Sequence, residues 1–489
     1  MHDLAKSLRF PAAVTLTALG TALPSIWFLV PIGLALFFLT LLKDVQSVRG
    51  AVWRGAVFGS IVSGAGVVWL LEAFPIGWVG IDSPSAQLAI VVAVWLYVVL
   101  GLTPAVAIGS GIIWKLRKRS LFPLYAAAAW VLIEQCQMWG FAILTWAPES
   151  LFGPHFSFAS LGYALAENRF LLQAAYPFGI AGLSFMLALG CAAAARLLIV
   201  QKPSDKIVPA ASLALALSMA AIPSLIASAR PQPLLGGIEV SLVTSAIPIG
   251  AQPSVYKEEM RTLAEQAFVA GAAPDAVVLP EGLGIAYAYP DIEERKREIE
   301  RLTNGRDALM MYSGKDGTAG PSGAGRLAYV TQDLDVLGTY QKMFLMPLGE
   351  YVPVTWRPLF SYLTERGLDG AYERKIADTI RPGTTLDPVR VGTASFGALL
   401  CSDMASPTLY RTLAKKGVDV LVNSANQNWF HESRLLYWKN LQIARVHAVQ
   451  NRAYFVASNN GSPSYAVAPD GTVIAASSWE PGVLRVTLP

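Results

Sequence analysis

The chain has 489 residues, of which 54% are hydrophobic and only 15% charged, and its mean hydropathy is +0.45. Soluble globular domains seldom carry so little charge, so a wholly soluble protein is excluded. The formal net charge of +4 comes with no basic-aromatic run in the second half, so nucleic acid is not an expected partner.

The apolar residues are concentrated in 1–230, whereas 236–489 has ordinary charged content. The sequence therefore predicts a multi-span α-helical membrane domain over 1–230 and an α/β domain over 236–489. Stretches 9–23, 26–42, 51–73, 86–114, 121–141, 168–195 and 207–227 read as seven spans, given the ~20 apolar residues a crossing helix needs. The first is short and would pair with the second through Pro24-Ser25. Lys6 and Arg9 ahead of it also fit a signal peptide, but six further spans argue against that. Basic residues precede the first span and follow the second (Lys43, Arg49, Arg54), fourth (Lys115, Arg117, Lys118, Arg119) and sixth (Arg196, Lys202, Lys206). The alternate connections, 24–25, 74–85 and 142–167, hold no Lys or Arg. By the positive-inside rule the N-terminus is cytoplasmic, and seven crossings put the second domain outside. Glu134, inside the fifth span, reads as a helix-packing group.

The linker 230–237, Arg-Pro-Gln-Pro-Leu-Leu-Gly-Gly, marks the boundary. Strands are predicted at 238–243, 276–281, 308–313, 327–332, 396–401, 418–423, 453–458, 464–468, 472–476 and 483–487. Helices are predicted at 254–270, 291–303, 407–416 and 433–451. Strands alternating with amphipathic helices make an α/β layered domain. The Gly-containing stretch 313–325 has no Walker pattern and reads as a loop.

Cys401 ends the apolar run Phe396–Leu400, as a buried strand would deliver a side chain to a pocket edge. Cys136 and Cys191 lie in predicted spans and read as packing residues. Cys401 then has no disulfide partner in an oxidising compartment, and a lone thiol there fits a nucleophile. Upstream, "VVLPEG" carries Glu281 and "YQKMFLMPLGEYVP" carries Lys342 and Glu350. A carboxylate can take the thiol proton, and a cation can lower the thiol pKa and hold an oxyanion. Taken singly, Cys401 would read as a core thiol and Glu350 as a loop carboxylate. The histidines at 2, 155, 431 and 447 show no ligand spacing, so neither metal nor cofactor is expected.

This constellation resembles nitrilase-type enzymes. With "WVLIEQCQMWG", "PFGIAGLSF", "LLCSD", "NSANQNWF", "QIARVHAVQNRAYFVASNNG" and "APDG", the chain resembles the apolipoprotein N-acyltransferase family almost from end to end. The resemblance implies a membrane bundle carrying a nitrilase-like αββα sandwich, set in the bacterial inner membrane with the catalytic domain on the periplasmic side. It implies transfer of a fatty acyl chain from a phospholipid to an amine acceptor, the N-terminus of a lipoprotein or a related group. Glu281 would be general base and then acid, Lys342 would hold the oxyanion and favour the thiolate, and Cys401 would carry the acyl thioester. The Ser402 N–H would be an oxyanion donor, and Glu350 would orient Lys342. Asp403 would either support the site or cap the helix near Pro407. Trp429 and Phe430 would line the pocket or be plain core. Trp356 and Phe360, in the apolar cluster 353–363, would form a lid admitting the acyl chain or an ordinary packed helix.

The sequence also departs from the family pattern. Ser402-Asp403 stands where Tyr-Glu is usual, Leu327 where Asn is common, Gln137 where an Arg is usual, and the family's "NDAWFG" reads Asn-Gln-Asn-Trp-Phe-His at 426–431. The family ends on a further transmembrane helix, whereas this sequence stops at Pro489 after a predicted strand. A divergent branch is expected, such as the conjugal-transfer relatives of TraB type. Two other readings compete: a carbon–nitrogen hydrolase on the same fold, and an envelope or conjugal-transfer component with reduced or no catalysis.

Overall fold

The computed structural model describes residues 2–77, 81–229, 236–249, 251–268, 274–304, 307–313, 325–365 and 380–489. The expected domain boundary at 230–235 and most of the loop 313–325 lie outside the described residues.

Helices occupy all seven predicted spans: α1 (His2–Ala22), α2 (Leu29–Lys43), α3 (Val48–Gly66), α4 (Pro84–Leu116), α5 (Phe122–Leu144), α6 (Gly179–Leu197) and α7 (Pro203–Ala229). Four of them, α4 to α7, are long and apolar enough to cross a membrane, and α2 is a shorter apolar helix. This is a membrane protein. Cys191 is buried as expected, but Cys136 is exposed on α5 rather than packed.

Two spans differ from expectation. The third ends at Gly66 and continues as a 3-10 turn, Val68–Ala73, because Phe74 precedes Pro75 and takes an extended conformation (ψ 134°). The sixth starts eleven residues late. Residues 168–178 form short turns, since Tyr176 precedes Pro177 and is extended (ψ 125°). Gly179 then opens α6 with φ +63°.

The second half forms the expected αββα sandwich. In chain order the strands are β1 (Ile238–Ser245), β2 (Ala276–Val278), β3 (Leu309–Tyr312), β4 (Arg326–Val330), β5 (Val336–Gln341), β6 (Val389–Val391), β7 (Ala394–Leu400), β8 (Val420–Asn426), β9 (Tyr454–Asn460), β10 (Tyr465–Val467), β11 (Val473–Ala476) and β12 (Gly482–Leu488). One half-sheet runs β5-β4-β3-β2-β1-β12 and the other β6-β7-β8-β9-β10-β11. Among the described residues they join where β1 and β9 pair at Thr244–Asn459 and Ser245–Asn460.

Side-chain alternation builds the layers. Val240, Leu242, Val278, Met311 and Tyr329 face inward and share one core with Phe396, Ala398, Leu400 and Val422 of the other half-sheet. The intervening Val243, Val277, Met310 and Ala328 face outward onto α8 (Pro253–Phe268) and α9 (Ile292–Thr303). Strands β5 and β6 were not among those predicted. β5 is mostly exposed, with Gly338 in its middle, so it shows no apolar run. β6 has only three residues.

The helix α10 (Arg357–Glu365) follows β5, and α11 (Pro407–Lys415) and α12 (Arg434–Asn451) cover the second half-sheet. The halves meet along one end of the helix bundle. Tyr351 Oη donates to the Thr145 carbonyl (2.8 Å), the Val354 N–H to that of Trp146 (2.9 Å), and Gln442 to Glu167 (3.0 Å). The basic connections gather at the other end, where Arg9 pairs with Asp44 (2.6 Å) and Arg196 donates to the Arg117 carbonyl (3.3 Å).

α4 and α5 cross at Gly101 and Gly140, where a Cβ on Gly140 would run into the Gly101 carbonyl oxygen. Such backbone approach drives helix association in lipid. Gly140→Ala is therefore expected to lower the thermal midpoint in detergent. Gly190→Ala, whose added Cβ meets only the Ala216 Cβ at 3.9 Å, is expected to leave it unchanged or raise it, since Ala favours helix by about 1 kcal/mol. Equal shifts for both would show that the crossing does not depend on backbone contact.

Candidate active site

Each chemical group sits just beyond a strand end. Glu281 follows β2, Lys342 follows β5, and Cys401 follows β7. Ser424 Oγ on β8 donates to the Leu279 carbonyl (2.7 Å), tying the Glu281 turn to the central strands. Gly282, with φ +83°, lets the chain turn there, and its N–H donates to Ser313 Oγ (2.8 Å).

Lys342 is 1% exposed. Its Nζ donates to Glu281 Oε1 (3.1 Å) and Glu350 Oε1 (2.7 Å). Glu350 is held in turn by the Met346 N–H on Oε2 (2.7 Å). Burial pushes the Lys342 ammonium down, but Cys401, Glu281 and Glu350 outweigh it and hold it well above the usual lysine value. Burial raises Glu281, Lys342 draws it down and Glu350 pushes it up, leaving it raised.

Cys401 Sγ lies 4.0 Å from the Asn426 carbonyl oxygen, and the thiol feels the charges of Glu281, Lys342 and Glu350. Burial and the Glu281 charge raise its pKa more than Lys342 lowers it. Lys342 thus acts toward the thiolate, as the resemblance implies, but burial and the Glu281 charge outweigh it. One cation already faces two carboxylates, so a thiolate would be a third anion on one ammonium. The thiol can ionise only by handing its proton to Glu281, whose raised pKa suits it to receive one. Cys401 has φ +42°, a conformation uncommon outside glycine. It opens a 3-10 turn, Cys401–Ala405.

Ser402 and Asp403 both act on a single residue of the Lys342 loop. Ser402 Oγ donates to the Phe344 carbonyl (2.6 Å), and the Phe344 N–H donates to Asp403 Oδ1 (2.7 Å). Asp403 Oδ2 also accepts from Tyr340 Oη (2.7 Å) and the Leu400 N–H (3.1 Å). The cap of α11 is Ser406, not Asp403. Tyr340 was not singled out in the sequence, although it opens the quoted "YQK" motif. Its Oη accepts from the Met343 N–H (3.2 Å) as well.

The aromatic candidates lie toward the membrane half. Phe430 meets Trp69 edge-on at 5.0 Å, with Trp429 half-buried beside it in the turn Asn428–Phe430. Trp356 meets Tyr97 edge-on at 5.3 Å, and Arg357 pairs with Glu149 (2.8 Å). Phe360 is half-buried in α10, with Leu359 and Tyr362 exposed beside it. The cluster 353–363 is therefore a helix anchored at its start to the membrane half.

Two family descriptions match the two halves. "Apolipoprotein N-acyltransferase N-terminal domain" matches residues 13–193, and "Carbon-nitrogen hydrolase" matches 312–489, a span that holds Lys342 and Cys401 but not Glu281. An apolipoprotein N-acyltransferase of Gloeobacter violaceus is 23% identical over 95% of this chain and 84% of its own length. The chain is similar to apolipoprotein N-acyltransferases along almost its whole length. Proteins of that name from Aquifex aeolicus and Geobacter metallireducens are each 27% identical, over 41% and 63% of this chain. These two matches span only 42% and 59% of the relatives' own length. An amidase structure from Nesterenkonia sp. aligns with 52% of this chain and 90% of its own, at 18% identity and a TM-score of 0.35, a likeness too low to add to the assignment.

Burial lifts the Asp403 carboxyl from 3.8 to about 6. The folded protein thus binds this proton more tightly than the unfolded chain. The stability it contributes is full below the ordinary value and lost as the pH rises through the folded one. Thermal unfolding between about pH 4 and 6 is expected to show a weaker downward slope in Asp403→Asn than in the wild type. An unchanged slope would mean that another group titrates there.

Proposed function

We propose that this protein is a membrane-bound N-acyltransferase that passes a fatty acyl chain from a phospholipid, through a Cys401 thioester, to the N-terminal amine of a lipoprotein or a related amine. The observation that carries the reading is the ion-paired Glu281–Lys342–Glu350 array, centred on a buried lysine and acting on Cys401, in a domain docked on apolar helices.

Cys401 Sγ attacks the donor ester carbonyl as Glu281 takes the thiol proton. The negative charge moves onto the carbonyl oxygen, where the Lys342 ammonium and the Ser402 N–H stabilise it. Collapse expels the lysophospholipid alkoxide, which leaves with the proton from Glu281. The acceptor amine then attacks the thioester and gives its proton to Glu281. The amide forms, the thiolate departs, and Glu281 returns the proton to it. Glu350 keeps Lys342 aimed at the carbonyl oxygen throughout.

The catalytic half is read as extracytoplasmic, on the periplasmic face of a bacterial inner membrane. The gathering of basic connections at the bundle end away from the catalytic half supports this orientation. Trp356, Phe360 and the exposed Leu359 and Tyr362 of α10, beside Trp429 and Phe430, are read as the surface along which the acyl chain enters.

Incubation with a phospholipid carrying a labelled acyl chain is expected to leave a hydroxylamine-sensitive label on Cys401. Cys401→Ser and Cys401→Ala are expected to abolish it in folded protein, and Lys342→Met to slow it by ~10²–10³, as for one lost oxyanion donor. Substantial labelling in Cys401→Ala would sink the thioester mechanism. Transfer of the label to water rather than to an added amine would favour an amide hydrolase.

Membrane-impermeant thiol reagents test the orientation. Applied from outside intact cells, they are expected to modify cysteines introduced at exposed positions of 236–489 but not one introduced beside Lys118. The reverse pattern would place the active site in the cytoplasm.

A further inference from the structure

The nucleophile's turn is held from the membrane half. The turn Cys401–Ala405 ends with the Ser406 N–H on the Asp403 carbonyl (3.0 Å), which leaves the buried Ala405 carbonyl without a partner inside the turn. That carbonyl is met by Ser157, whose N–H (3.2 Å) and Oγ (2.6 Å) both donate to it. Ser157 Oγ is also within 2.7 Å of Tyr163 Oη. One residue on, Ser406 Oγ, which caps α11, lies 2.8 Å from His155 Nδ1. The His155 ring further packs 5.8 Å from that of Phe344, the residue whose peptide Ser402 and Asp403 hold. Phe141 reaches the same ring at 6.4 Å and stacks on Phe156 at 3.9 Å. His155 and Ser157 are both buried, and neither belongs to a helix.

We infer that the connection between α5 and α6, through His155 and Ser157, is a positioning element of the active site. It fixes the Cys401 turn and the Lys342 loop against each other. It supplies the donors and the ring contacts that the catalytic half lacks at this point, so the site is complete only when the membrane half is docked. His155 and Ser157 touch no reacting atom. They act on Cys401 through Ala405 and Ser406, and on Lys342 through Phe344. Burial holds His155 down at about 4, so it stays neutral and does not gate the site with pH. The inference deepens the proposed function and rests on Cys401 being the nucleophile.

The test uses the full chain in detergent and two readouts. One is the acylation of Cys401 by a short-chain p-nitrophenyl ester. The other is its alkylation by iodoacetamide, followed on the Cys401 peptide by mass spectrometry, which requires no acyl-transfer activity. Ser157→Ala and His155→Ala are each expected to slow acylation by about tenfold, with the KM for the ester and the pH profile unchanged. Ser157→Thr, which keeps the hydroxyl, and His155→Asn, which keeps a polar atom near the Nδ1 position, are expected to restore most of the rate. Gln442→Ala removes the Glu167 contact of the same interface, away from the turn. It is expected to lower the thermal midpoint without slowing acylation. The inference is overturned if both alanine variants react at the wild-type rate. It is equally overturned if rates fall only in proportion to the midpoint, Gln442→Ala included. If phospholipid gives no label in the wild type, the acyltransferase reading fails. A change in Cys401 alkylation in Ser157→Ala with recovery in Ser157→Thr would still support the positioning role, and no change would overturn it.

Discussion

Lys342 carries its charge at 1% exposure, and a buried ammonium is tolerated only while its counter-charges stay in place. Glu281 and Glu350 reach it from different parts of the chain, one from the turn after β2 and one from the loop after β5. Removing either carboxylate would leave charge uncompensated in a low-dielectric interior. The array therefore constrains the fold as well as the chemistry. The ends of β2, β5 and β7 must converge, and they do so where β1 and β9 bring the half-sheets together.

The same array decides how the thiol is activated. Burial and the Glu281 charge raise the Cys401 thiol more than Lys342 lowers it, which favours the protonated form at rest. In the proposed mechanism proton movement is then confined to the Cys401–Glu281 pair, and the ammonium meets the oxyanion. A protonated thiol is also less open to oxidation than a thiolate.

Around this centre the clamping groups come from three directions. Ser402 and Asp403 grip the Phe344 peptide from the nucleophile side, Tyr340 braces Asp403 from β5, and His447 of α12 lies 3.1 Å from the Met404 carbonyl within the turn. The membrane half adds the fourth side through residues 155–157. The departure of Ser402-Asp403 from the usual family pair is thus compatible with an ordered site, because both side chains are fully engaged.

Much of this was legible in the sequence. The ten predicted strands and the four predicted helices of the second half all exist, because period-2 and period-3.6 apolar patterns record which face is buried. Glu281, Lys342, Glu350 and Cys401 were legible because each sits in a short contiguous motif at a strand end. β5 was not, since an edge strand with a central Gly and mostly exposed side chains carries no burial signal. Nor was the true start of α6, where apolar content ran on across short helical turns and a break at the extended Tyr176 before Pro177. In the sequence the connection after α5 carried only a topological signal, its lack of Lys and Arg, yet residues 155–166 are buried between the halves. The partners of Ser157 and His155 lie 248 and 251 residues away in sequence. Local pattern cannot encode such pairs, whereas docking one half on the other creates them. The sequence by itself determined which segments are helices and strands and which residue types carry the chemistry. The tertiary structure decided the charges around Cys401, which converge from the ends of β2, β5 and β7, and the support behind its turn, which exists only when the membrane half is docked.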